Sequence, residues 1–139
     1  MRVAARALGE RLVLITDRID LPEGARGSAL GAVTAGEDGA PWRRPDGAIA
    51  GSQLGLDAAL RNARRFAGID LRDAVAGCTL RPARLLGVER ERGTLRRGAR
   101  ADLALLDASG RAMETWVGGA PAWRAGTLRL GEPAPNRGA

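Results

Sequence analysis

With 139 residues, 45% apolar and only 3% aromatic, the chain can hold one domain but not two ordinary ones, and its Ala-rich apolar content predicts a thin core. The net charge of +6 rests on 22 basic residues, all Arg, scattered and without interleaved aromatic platforms, which argues against a nucleic-acid surface. Cys78 stands alone and His is absent, which excludes an internal disulfide, a Cys-based metal site and an imidazole-ligated metal within this chain.

In chain order, residues 2–8 are good helix formers that Gly9 is placed to end. Leu12-Val13-Leu14-Ile15 is a continuous apolar run, the pattern of a parallel strand buried on both faces, and it stops at Thr16-Asp17. A carboxylate at the carboxyl end of such a strand stands where barrel enzymes place their chemistry. Residues 21–45 are rich in Gly, Pro and Ala, with short apolar patches such as Ala32-Val33, and read as a long excursion with at most a weak hairpin.

Ser52 is a suitable N-cap, and Leu56, Ala59, Leu60 and Ala63 fall at helical spacing, predicting a helix that closes near Gly68. Asp70 and Asp73 form a capping pair for a short helix through Ala76. Residues 79–87 place Pro82 near the first turn and Gly87 past the end of another. The period then changes. Residues 93–95 and 101–107 read as strands, the latter pairing with residues 111–117, and the tail from Gly131 is expected to be disordered. No secretory leader or membrane-length apolar run is evident, so the expected location is the cytoplasm, with no membrane partner.

Four segments in this order, residues 12–17 (LVLITD), 47–56 (GAIAGSQLGL), 79–88 (TLRPARLLGV) and 93–107 (GTLRRGARADLALLD), resemble the C-terminal part of N-acetylglucosamine-6-phosphate deacetylases of the amidohydrolase superfamily. Leu60-Arg61-Asn62 and residues 115–119 extend the likeness. The later segments are shared by many amidohydrolases. The Thr-Asp strand ending and Ala-Gly-Ser before the Leu-rich helix narrow it.

The resemblance implies an α/β fold: the C-terminal part of a metal-dependent (β/α)8 barrel plus the C-terminal strands of its small β-sandwich. Residues 1–92 would supply the last barrel strand and the C-terminal helices, 93–128 the sandwich strands, and 129–139 a disordered tail. It further implies hydrolysis of the acetamide of N-acetylglucosamine 6-phosphate to glucosamine 6-phosphate and acetate. A divalent metal, zinc or iron, serves the full-length family, and none is expected to bind this chain alone. Asp17 matches the acid/base carboxylate, while Ile49, Ala50 and Gly51 match a loop whose main chain contacts the sugar phosphate. Arg81 and Arg84 read as scaffold, and Asp102 as a residue that orders a strand start.

Departures from the family carry expectations too. The upstream metal and phosphate ligands have no counterpart, so the chain reads as a truncated or split product, inactive alone and completed by an N-terminal half or by self-association. Arg18 follows Asp17, and a guanidinium lying against that carboxylate would weaken it as a base. The alternatives are a non-catalytic remnant or assembly partner of an intact amidohydrolase, another amidohydrolase activity, and an Arg-rich nucleic-acid binder.

Overall fold

Helix α1, Arg2–Leu8, ends at Gly9, whose φ of 51° is open to glycine at little cost, and a 3-10 turn over Gly9–Arg11 follows. This computed structural model describes residues 1–20, 33 and 41–126. The chain forms two units, Met1–Ala99 and Arg100–Ala139. Most of the 21–45 excursion and the tail from Gly131 lie outside the described residues.

In the first unit, β1 (Trp42–Arg43) and β2 (Ile49–Gly51) form an antiparallel pair, joined by a turn in which Asp46 accepts the Ala48 N–H at 3.0 Å. Helix α2 spans Leu56–Asn62 and runs into a π-helical turn over Ala63–Ala67, closed by Gly68 in the left-handed region at φ 71°. The closure at Gly68 is the one the sequence predicts. Its N-cap differs: Gly55 holds that position and no side chain caps the helix. Ser52 lies ahead of the helix, where its hydroxyl binds elsewhere.

Helix α3, Leu71–Cys78, is capped as expected, with the Asp70 carboxylate accepting the Asp73 N–H at 2.8 Å, a contact worth about 1 kcal/mol. Helix α4, Leu80–Leu85, follows, and Gly87 takes φ 70° past its end. Among the described residues the buried apolar ones are Val33, Ala59, Leu60, Ala63, Ala74 and Ala83, in keeping with a thin core. Arg81 is the buried charged residue among those described, 8% exposed, and it donates to the Asp73 carboxylate at 2.7 Å and carbonyl at 3.2 Å. The same guanidinium approaches the Leu12 carbonyl at 3.5 Å, so Arg81 ties α3 and α4 to the start of the Leu12 segment as scaffold.

Two strand expectations fail. Leu12–Ile15 forms no ladder among the described residues: Leu14 donates its N–H to the Gly77 carbonyl at 2.9 Å, and Ile15 is 74% exposed rather than buried on both faces. An apolar run becomes a strand only when another strand lies beside it. Residues 93–95 are not a strand either. Gly93 turns at φ 83° so tightly against α4 that a Cβ would stand 2.9 Å from the Thr79 carbonyl oxygen, and Leu95 is exposed.

The second unit is a three-stranded antiparallel sheet in the order β3 (Leu103–Leu106), β4 (Ala112–Val117), β5 (Ala120–Arg124). The β3–β4 pairing follows the sequence expectation, with Leu103 opposite Trp116 and Ala104 opposite Thr115. Asp107 organises that turn by accepting the Ser109 N–H and Oγ–H and the Arg111 N–H at 2.7–2.9 Å. These bonds hold its carboxyl below the ordinary aspartate range, the Ser109 hydroxyl first among them. Strand β5 is an addition. Gly118 and Gly119, at φ 59° and 82°, make a two-residue turn that twists as the strands do, and Pro121 lies on the edge strand, where a missing N–H is tolerated. The Asp102 carboxylate accepts the Gly118 N–H at 2.8 Å, ordering the start of the sheet as expected.

Candidate active site

Past Leu12–Ile15 the chain makes a sharp bend. Asp17 has φ 51°, the left-handed conformation that non-glycine residues adopt at a cost of about 1 kcal/mol, Asp and Asn most readily. A clasp from the β2 end of the hairpin holds it there. The Ser52 N–H donates to the Asp17 carbonyl at 2.7 Å, the Ser52 Oγ–H to the Thr16 carbonyl at 2.6 Å, and the Ile19 N–H to the Ser52 carbonyl at 3.0 Å. Arg18 and Ser52 thereby form a parallel bridge. Trp42 of β1 adds its Nε1–H to the Ile19 carbonyl at 3.1 Å.

Gly51 makes the close approach feasible. A Cβ there would stand 2.5 Å from Ile19 Cδ1 and 3.0 Å from the Asp17 carbonyl oxygen, so any side chain would push the hairpin away. The clasp therefore joins two of the sequence-predicted elements, Asp17 and the Ile49–Gly51 strand, which lie far apart along the chain. Within that strand, Gly51 is buried, Ala50 half-buried and Ile49 exposed.

The Asp17 side chain is exposed, and among the described residues no hydrogen bond or ion pair engages its carboxylate. By contrast, Asp20, Asp57, Asp73 and Asp102 pair with Arg, while Asp70 and Asp107 accept main-chain N–H groups. Arg18 does not lie against Asp17 as expected. Its guanidinium binds Asp20 at 2.7 Å and the Gln53 carbonyl at 3.0 Å. A carboxylate left unengaged at the end of a braced bend can accept and return a proton.

Other features carry less. A cleft of about 430 Å³ lies among Arg2, Arg6, Asp70, Asp73 and Arg81, but it includes none of Asp17, Ile49, Ala50 or Gly51, and its Arg81 and Asp73 are already paired. Burial pushes the Cys78 thiol up from its ordinary value, which leaves it a poor nucleophile at neutral pH. Among the described residues no three His, Cys, Asp or Glu side chains converge on one point, and the sequence contains no His. Within the described residues, then, no site for a divalent metal is assembled by this chain alone. Among the described residues, no helix is long and apolar enough to cross a membrane.

Sequence reasoning missed Ser52 and Trp42 as the braces of this bend. Ser52 signals a helix cap equally well, and its true partners lie 36 positions away.

Residues 28–121 match the family model described as Amidohydrolase family. The chain is 37% identical over 115 residues to the N-acetylgalactosamine-6-phosphate deacetylase of Escherichia coli O157:H7, a match covering 79% of this chain and 29% of that one. It is 34% identical over 131 residues to the human N-acetylglucosamine-6-phosphate deacetylase, covering 93% and 32%. The crystal structure of N-acetylglucosamine-6-phosphate deacetylase from Thermotoga maritima superposes with a TM-score of 0.74 at 30% identity, covering 89% of this chain and 34% of that one. The chain thus spans about a third of the length of these proteins.

Proposed function

Because this chain belongs to the amidohydrolase family, we propose that it supplies the C-terminal part of an enzyme that hydrolyses the acetamide of an N-acetylhexosamine 6-phosphate. N-acetylglucosamine 6-phosphate is the substrate of choice, as the names of the human and Thermotoga maritima relatives indicate. Its 4-epimer, N-acetylgalactosamine 6-phosphate, is the second arm, named by the relative of 37% identity. In this reading residues 1–92 bring the last barrel strand and its helices, and residues 93–128 the closing strands of a small sandwich.

The observation that carries the reading is the unengaged Asp17 carboxylate on its braced left-handed bend beside Gly51. Asp17 takes a proton from the attacking water as the new C–O bond forms at the acetamide carbon. It gives that proton to the nitrogen as the C–N bond breaks, so acetate and the free amino sugar leave. In this reading the main chain of Ile49, Ala50 and Gly51 borders the sugar phosphate. The described residues of this chain do not by themselves assemble a site for the divalent ion of the family.

The test is to co-express the chain with the N-terminal two thirds of a related deacetylase and to assay acetate release from both epimers. Activity should appear in the mixture and not in either part. Asp17→Asn should lower kcat by about 10²–10⁴-fold without loss of assembly, the range for removal of a general acid/base. Full activity of Asp17→Asn would overturn the catalytic assignment. An assembled but inactive mixture would favour a non-catalytic remnant or assembly partner.

A further inference from the structure

We propose that Ser52 is a positioning residue that aims the Asp17 carboxylate, an inference that rests on the reading of Asp17 given above. The side chain makes the case through one bond, from the Ser52 hydroxyl to the Thr16 carbonyl at 2.6 Å, which locks in place the two main-chain bonds of Ser52 to Asp17 and Ile19 at 2.7 and 3.0 Å. The residue inside that grip is the described non-glycine residue at positive φ. Released from it, Asp17 would relax toward the negative-φ regions that L-residues prefer, and its carboxylate would swing to a new direction.

The Ser52 hydroxyl also accepts the Leu54 N–H at 3.0 Å, so the same oxygen fixes the approach to α2 while its proton holds Thr16. A donor and acceptor are both needed, on a side chain short enough to reach a carbonyl beside its own strand. Serine and threonine meet this; alanine keeps only the two main-chain bonds, and cysteine keeps the size but donates weakly. Trp42 and the absent Cβ of Gly51 hold the two segments at the required distance but bond neither Thr16 nor Asp17.

The experiment has two arms. In the first, nuclear magnetic resonance of the 139-residue chain reads the intraresidue amide-to-Hα Overhauser effect of Asp17, which is strong for a left-handed residue because those protons are close. The parent and Ser52→Thr should show it, and Ser52→Ala and Ser52→Cys should lose it. In the second, the co-expressed mixture is assayed: Ser52→Ala and Ser52→Cys should lower kcat about tenfold to a hundredfold, as small misplacements of a reacting group do, with KM unchanged and Ser52→Thr restoring the rate. Circular dichroism identifies a variant that fails to fold, and Ser52→Cys, nearly isosteric, stands in for Ser52→Ala in that event. A parent-strength Overhauser effect, or a parent kcat, in a folded Ser52→Ala or Ser52→Cys variant overturns the proposal. If Asp17→Asn is as active as the parent, the functional reading fails by itself, and the Overhauser comparison still judges the grip of Ser52.

Discussion

Two apolar runs of the same length and character, Leu12-Val13-Leu14-Ile15 and Leu103-Ala104-Leu105-Leu106, end differently. The second is a ladder strand paired with β4, with one register shift between Leu105 and Leu106. The first has two main-chain bonds among the described residues, from the Leu12 N–H to the Gly9 carbonyl and from the Leu14 N–H to the Gly77 carbonyl of α3, and neither is to a strand. Local sequence is not the cause, since the first run is the richer in β-branched residues. The partner of β3 starts six positions after its end, across a turn that Asp107 builds. A parallel strand needs partners brought from far along a chain or from another chain. Strand formation is thus a property of the pair.

The largest effect should come from supplying that pair. In the co-expressed mixture, hydrogen exchange at Val13 and Ile15 should slow by about two orders of magnitude or more as the run gains a ladder, while the β4 amides, whose partners lie in residues 103–124, keep their rates. Unchanged exchange at Val13 and Ile15 in a stable complex would show that the run does not pair.

A smaller effect should come from breaking its present support. A Cβ on Gly77 would meet the Leu12 carbonyl oxygen and Leu14 Cγ at 3.3 Å, so Gly77→Val should force the run off α3. The expected cost is about 1–3 kcal/mol, measured by urea unfolding of the first unit, with the Asp107 turn unaffected. A stability equal to the parent would mean that the run is not held by α3.

The smallest effect concerns the other run. The Asp107 carboxyl is held below the ordinary aspartate range, so its contribution is present above that range and fades as pH falls through the lowered value. Ser109 and Arg111 amide shifts should move only in that acidic window, and Asp107→Asn should abolish the movement. Because Asp107 is fully solvent-exposed, the melting temperature should change little.

What the sequence shows, and what it hides, follows the same division. Helices α1, α3 and α4 are legible because their signals are local: Gly9 behind the first, the Asp70–Asp73 cap, Pro82 and Gly87 around the last. Strand β5 is legible too, since Gly118-Gly119 between apolar residues is a hairpin signature, although the Thr115–Gly119 run draws the eye to the family likeness instead. The role of Ser52 is not, because a serine before a helix looks the same whether it caps that helix or grips Thr16. The direction of Arg18 and the positive φ of Asp17 are announced by no neighbouring residue. Asp17 and Gly51 could be singled out by motif, but their proximity arises only when the hairpin closes on the bend.

The alanine interior of the first unit sets how that unit responds to temperature. Among the described residues its buried apolar side chains are four alanines with Leu60 and Val33, beside the buried Arg81. Unfolding exposes little apolar surface from such an interior, and exposed polar groups lower the heat capacity rather than raise it. The unit therefore has a shallow stability curve, gaining little from warming toward its optimum and losing little on cooling away from it.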